Sequence, residues 1–308
     1  MLIFACSDQA GAGRSVTCAN VAYRRALLGD DVCYLDCYLD FRADSLVAGA
    51  LFQLEESIGR RRPGLSDYLA GEVAWPTRLD VWSDSEREEL RHPPRGAGRL
   101  VVLPAGGYGA GFSPSPERVQ RFSELLLGLD EEFHVTVVDL DGGRSPAMDL
   151  ALIATAGSPL DSVVARWLVF HRWTRKQVIA AADLVHGERG LLSTAEARGH
   201  DRQRFLRSLR LVRTAVVDPG SPELAGLRPA QIAWLHEVNG DLQRLASRSG
   251  IGRVYLLGAV PHDPVLQWRE QLITDDEVAL TAVANQGTVD AFEELARKLG
   301  DNEVWEGL

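Results

Sequence analysis

The sequence predicts an α/β protein: a doubly wound, mostly parallel sheet with helices on both faces. Three observations predict it. The first 36 residues alternate strand, glycine loop, helix and strand, which is a βαβ unit. Short apolar runs that end in Asp or Pro recur further along, separated by helical stretches. No internal repeat, low-complexity tract or clear linker interrupts the series, so one domain over residues 1–308 accounts for the whole chain.

Leu2 to Cys6 is an apolar run that reads as a buried strand. Ser7 to Gly13 carries no bulky apolar residue and reads as a tight loop. Ser15 to Leu28 is helical, because Val16, Ala19, Ala22, Ala26 and Leu27 fall at helical spacing and Gly29 stops the run. Asp31 to Asp36 is the second strand. Residues 43–58 read as a helix broken by Arg60-Arg61-Arg62-Pro63-Gly64, and Leu65 begins a short helix. Residues 76–98 are polar and rich in charge and proline, so a surface excursion is expected. Arg99 to Pro104 is the third strand. A helix over 114–133 follows, capped by Ser113 or Ser115.

His134 to Asp139 is the fourth strand and residues 147–156 a short helix. Arg166 to Phe170 is the fifth strand, followed by a helix to about His186. Residues 188–211 read as a charged surface helix. Arg213 to Asp218 is a strand, residues 228–249 a long amphipathic helix, Val254 to Val260 a strand, and residues 288–299 a closing helix.

Composition bounds the function. At 45% hydrophobic and 25% charged, the chain can fill a core, and a net charge of -10 argues against general affinity for nucleic acid or anionic lipid. No basic leader or membrane-length apolar run is visible, so a cytoplasmic protein is expected. Cys6, Cys18, Cys33 and Cys37 lack zinc-site spacing and a nearby histidine, and are expected to be small buried thiols. Lysine occurs only at Lys176 and Lys298, and the other 31 basic residues are arginine, a bias typical of GC-rich coding sequence.

The loop Ser7-Asp8-Gln9-Ala10-Gly11-Ala12-Gly13-Arg14-Ser15-Val16 carries the chemistry. A phosphate cradle needs small residues whose backbone N–H groups wrap the anion, a helix N-terminus behind them, a cation, and a hydroxyl for Mg²⁺. Gly11 and Gly13 supply the permissive backbone, Arg14 the cation position and Ser15 the hydroxyl.

Residues 2–36 resemble the opening of the MinD/ParA-like family, the deviant Walker A branch of P-loop ATPases. Gln9 to Val16 occupies the family's K-G-G-x-G-K-[ST]-[ST] motif, and the run from Cys18 to Ala22 and the turn into Tyr34-Leu35-Asp36 follow its usual course. Within the family the chain is most similar to an actinobacterial set of variant P-loop proteins. Leu103-Pro104-Ala105-Gly106 resembles its P-A-G segment, and Val137-Val138-Asp139-Leu140-Asp141-Gly142-Gly143 its Walker B strand. Leu257 to Pro264 resembles the strand and proline loop over the base. The stretch 160–211 matches least.

The resemblance implies a P-loop NTPase fold that binds ATP with Mg²⁺. Gly11, Ala12, Gly13, Arg14, Ser15 and Val16 would hold phosphates. Ser15, Asp36 and Asp139 would hold Mg²⁺, directly or through water. Pro261, His262 and Asp263 would flank the base, with Asp218 in the place of a base-reading asparagine. Asp36, Arg14 and Asp40 are the candidate catalytic residues.

Three positions depart from the motif. The family's lysine that reaches across a dimer is Gln9, its second lysine is Arg14, and its switch aspartate is Tyr38, with Asp40 as a displaced substitute. Phosphoryl transfer depends on positioning and charge, so these changes predict weak or absent hydrolysis with binding retained. The resulting expectation is a nucleotide-dependent, dimerising switch or adaptor with an unidentified protein partner. An active partner-positioning ATPase and a non-binding interaction module are the alternatives. The acidic C-terminus lacks the basic amphipathic helix of MinD-type membrane anchors. Arg60-Arg61-Arg62 reads as a solvated helix end, Trp167 and Phe170 as core, and Arg172 and Arg175 as solvent-facing.

Overall fold

The structure is a computed structural model that describes residues 1–39, 47–54, 62–106, 112–221, 224–269 and 271–306. In chain order, the first half of the molecule runs β1 (Leu2–Ser7), α1 (Arg14–Leu27), β2 (Val32–Cys37), α2 (Val47–Phe52), α3 (Leu65–Ala70), β3 (Leu79–Asp80), α4 (Val81–Asp84), β4 (Leu100–Leu103), α5 (Pro116–Glu132), β5 (Val135–Leu140) and α6 (Pro146–Ala154). The second half runs β6 (Ala165–Arg172), α7 (Arg175–His186), α8 (Leu191–Ala197), α9 (Arg202–Arg207), β7 (Leu209–Val216), α10 (Pro229–Arg248), β8 (Leu256–Pro261), α11 (Val265–Trp268), α12 (Asp275–Ala279), α13 (Gln286–Gly300) and α14 (Asn302–Glu306).

All eight strands form one sheet in the order β3-β4-β2-β5-β1-β6-β7-β8. Every pairing is parallel except that of the short edge strand β3 with β4. The expected doubly wound architecture is therefore present. The period-two alternation of strands divides the core into two faces. Leu2, Phe4 and Cys6 of β1 face the layer containing Phe122 of α5 and Leu184 of α7, whereas Ile3 and Ala5 face Ala22 of α1 and Phe292 of α13. All four cysteines are free and buried, as expected. Among the described residues, no helix is long and apolar enough to cross a membrane.

Several expectations need correction. The excursion 76–98 contains β3, α4 and a 3₁₀ turn at Glu88–Arg91, and it buries Val81 and Leu90. The charged stretch 188–211 holds two short helices that bury Leu191, Leu192 and Phe205, and β7 starts within it at Leu209. Charge density there masked a few large anchors. Of the helix read over 43–58, Val47–Phe52 is helical, and Leu54 leaves it for an antiparallel bridge to Ser85. The rest of that reading, like Arg60 and Arg61, lies outside the described residues. Ser115 is the cap of α5 and accepts from the backbone of Arg118 at 3.4 Å. Trp167 and Phe170 are core residues, with Trp167 stacked on Phe4 at 4.7 Å.

Candidate functional site

Parallel pairing brings the carboxyl ends of β1, β2 and β5 to one edge, where open α/β sheets bind ligands. The glycine loop leaves β1 there and enters α1 directly. Gly11 and Gly13 both have φ of 75°, in the left-handed region where a side chain is strained. Gly13 is also crowded: a Cβ there would meet the Thr214 side chain at 3.2 Å. Thr214 Oγ1 donates to the Ala12 carbonyl at 2.6 Å and ties the loop to β7. On the other side, the Gly143 N–H donates to the Ser7 carbonyl at 2.7 Å.

Beside the loop lies a cavity of about 160 Å³. Gly11, Gly13 and Val16 line one wall, Pro261 and Asp263 the opposite one, and Arg172 reaches in from the end of β6. The loop, the end of β8 and Asp263 just after it thus line one space, without His262. Arg172 is half-buried and belongs to this cavity, which corrects its assignment to solvent. Arg175 is exposed as expected.

Arg14 does not reach into the cavity. Its side chain is 5% exposed and turns inward beneath the loop. Nε pairs with Asp139 Oδ1, while Nη1 donates to Ser7 Oγ and Nη2 to Ser15 Oγ, each at 3.2 Å. The guanidinium carbon lies 5.9 Å from the ring centroid of Tyr38. Burial disfavours this charge, but the Asp139 carboxylate outweighs burial and holds Arg14 above its ordinary pKa. The second oxygen of Asp139 accepts from Tyr34 Oη at 2.7 Å, so both carboxylate oxygens have donors.

Asp36 is opposite Asp139 in the β2–β5 register and is also fully buried. It accepts from the backbone N–H groups of Tyr38 at 3.2 Å and Ala48 at 3.4 Å. Burial first, then the nearby Asp139 and Asp141, push its pKa up to about 8. Asp40 lies outside the described residues.

The base-side residues divide. Asp263 is 2% exposed, and its carboxylate accepts from Val265 N, Asn285 N and Thr288 Oγ1 at 2.8–3.1 Å, which pins the loop after β8 to α13. The His262 side chain is exposed, although its N–H donates to Val216 O. Asp218 is exposed beyond the end of β7, where its carboxylate accepts from Gly220 N in a turn. Sequence reasoning did not single out Thr214, Tyr34 or the cavity role of Arg172. For Thr214 and Arg172 the available signal was position near the carboxyl end of a strand. Tyr34 offered only a polar tip inside an apolar strand.

Fold and loop together define the class: this is a P-loop NTPase fold of the MinD/ParA type. The chain is similar to the cell division protein MinD of Aquifex aeolicus, with a TM-score of 0.55 and 16% identity over 97% of this chain and 95% of that one. It is similar to the septum site-determining protein MinD of Pyrococcus horikoshii, determined with Mg-ADP, with a TM-score of 0.53 and 14% identity over 98% of each chain. A putative plasmid partition protein of Borrelia burgdorferi bound to AMPPNP gives a TM-score of 0.55 and 11% identity over 97% of each chain. No protein-family model matches the sequence, and no curated protein does either.

Proposed function

We propose that this protein binds a nucleotide, ATP foremost, in the cavity beside the glycine loop, hydrolyses it weakly or not at all, and acts as a switch or adaptor. The observation that carries the reading is the division within the loop. Its backbone keeps the left-handed glycines and the helix N-terminus that cradle phosphate, and opens on a cavity. Its basic side chain, Arg14, is turned away into an ion pair. Backbone donors and the α1 dipole support binding, whereas transition-state charge on a transferred phosphoryl group would lack the cation this position normally supplies.

The Mg²⁺ ion that the resemblance implies does not fit the donor set as arranged. Ser15 Oγ already accepts from Arg14, Asp139 accepts from Arg14 and Tyr34, and Asp36 accepts two backbone N–H groups. Arg14 and Arg172 are the arginines at the loop and cavity, and Arg14 is neutralised by Asp139. Nucleotide occupancy controlling the pairing of two copies, and so the capture of a protein partner, is the output that suits this fold.

A thermal-shift titration of the full chain with ATP, ADP and GTP tests the proposal. Stabilisation by a nucleotide with no phosphate release above background is expected. The absence of a shift with all three refutes binding, and steady phosphate release at the rate of a working ATPase refutes the adaptor reading. Light scattering should show a larger species with ATP than without. A monomer under both conditions removes the dimer from the proposal.

A further inference from the structure

In P-loop proteins the metal ion is held by the loop hydroxyl and by the aspartate at the end of the Walker B strand. In this chain those two groups are Ser15 and Asp139. One guanidinium bridges them: Arg14 Nη2 donates to Ser15 Oγ at 3.2 Å and Nε pairs with Asp139 Oδ1. The same group donates through Nη1 to Ser7 Oγ at 3.2 Å. Each of its three nitrogens therefore has an acceptor at a site where a divalent ion would compete for two of the three.

We infer that the Arg14 guanidinium is a built-in replacement for the divalent cation, so that this site takes its nucleotide without metal. The inference concerns the site of the proposed function, and its first test rests on that reading.

Three features favour a fixed arrangement over an arginine that swings out when phosphate arrives. Arg14 is 5% exposed and Asp139 fully buried, so breaking the pair would strand a buried carboxylate, at a cost that surface pairs do not carry. The Tyr38 ring lies beside the guanidinium at the position where the resemblance expects an aspartate. Tyr34 supplies a second donor to Asp139, at 2.7 Å, and holds the carboxylate in place. A planar guanidinium with donors on three nitrogens can satisfy several fixed acceptors at once, which an ammonium on a flexible stem does less well.

The test compares affinity for ATP and ADP by calorimetry in Mg²⁺ and in EDTA, using the full chain. Affinity in EDTA equal to or tighter than that in Mg²⁺ is expected. A loss of more than about tenfold in EDTA overturns the inference. Arg14→Lys should introduce metal dependence, with binding in EDTA at least about tenfold weaker than in Mg²⁺. Metal-independent binding by that variant overturns the assignment to Arg14.

A second arm needs no nucleotide. Crystals soaked in MnCl₂ should show no anomalous peak between Ser15 and Asp139 and an intact Arg14–Asp139 pair, whereas Arg14→Gln crystals should show Mn²⁺ there. Mn²⁺ bound in the unaltered protein, with Arg14 displaced, overturns the inference. So does the absence of Mn²⁺ in a folded Arg14→Gln variant. If no nucleotide binds in either buffer, the proposed function fails, and the Mn²⁺ arm still decides who occupies the cation's place.

Discussion

Two ends of the sheet each bury arginine, and they solve the problem differently. At the carboxyl end, Arg14 meets a full carboxylate, and its charge is held above the ordinary arginine pKa. At the amino end, Arg166 and Arg210 lie over the two faces of one problem, the docking of α14. Their guanidinium carbons are 4.6 and 4.9 Å from the Trp305 ring centroid. Arg210 Nη2 donates to the carbonyls of Val304 at 2.8 Å and Trp305 at 3.0 Å, and Arg166 Nη2 donates to Asn302 Oδ1 at 2.7 Å. Burial first, then the charge of Arg210, lowers the pKa of Arg166 to about 10. Carbonyl dipoles and a ring suffice to seat a structural cation. An ion pair beside the glycine loop instead ties the cation to a buried carboxylate.

The largest expected effect is at the carboxyl end. Arg14→Ala leaves Asp139 buried without its cation and should cost about 3–5 kcal/mol of stability in urea titration. Pairing Arg14→Met with Asp139→Leu and Tyr34→Phe, so that no buried hydroxyl loses its acceptor, should restore most of that loss. A cost below about 1 kcal/mol for Arg14→Ala would break the contrast, because it would mean the pair behaves like a surface one.

At the amino end, Trp305→Ala should cost about 3 kcal/mol through lost packing and lost cation–π contact, read as a lower Tm. Nucleotide binding should be unchanged in that variant. A change in affinity would couple the two ends and blur the comparison. Tyr34→Phe removes one donor to Asp139 and should cost about 1–3 kcal/mol, with a smaller loss indicating that water replaces the hydroxyl.

The last prediction, confined to acid pH, sharpens the comparison with a third buried base. His171, on β6, avoids charge altogether: burial lowers its pKa from 6.5 to about 4. Because the folded value lies below the unfolded one, its contribution is present above pH 6.5 and is lost as pH falls towards 4. His171→Leu should therefore flatten the acid limb of the stability profile over that interval. An unchanged limb would show that His171 accepts a proton without cost.

Much of the fold was legible because its signals are local. β1, α1, β2, α5, β5, α7 and α10 are each marked by their own apolar spacing, caps or stops, and the structure places them within a few residues of the reading. Leu209 and Leu211 of β7 and the helices α8 and α9 were hidden because their buried residues stand among charges, and burial there is decided by the neighbouring helices and strands. The segment between β8 and α13 offered no periodic pattern. It is positioned instead by Asn20 of α1, whose amide binds Gln271 O at 3.0 Å and Ile273 N at 2.8 Å, and by Arg87 at Leu272 O.

The sequence by itself determined that a glycine loop joins the first strand to the first helix, and that aspartates end the second and fourth apolar runs it contains. Backbone conformation and strand order follow from nearby residues, so glycine spacing and alternation are enough to predict them. Only the tertiary structure decided what the one basic side chain of that loop does. Arg14 and Asp139 are 125 positions apart, and their pairing depends on the β1–β5 register, on the Tyr34 hydroxyl from β2, and on Thr214 holding the loop from β7. A long side chain reaches several partners from one backbone position, and packing chooses among them. That choice turned the expected phosphate-binding cation into an internal one.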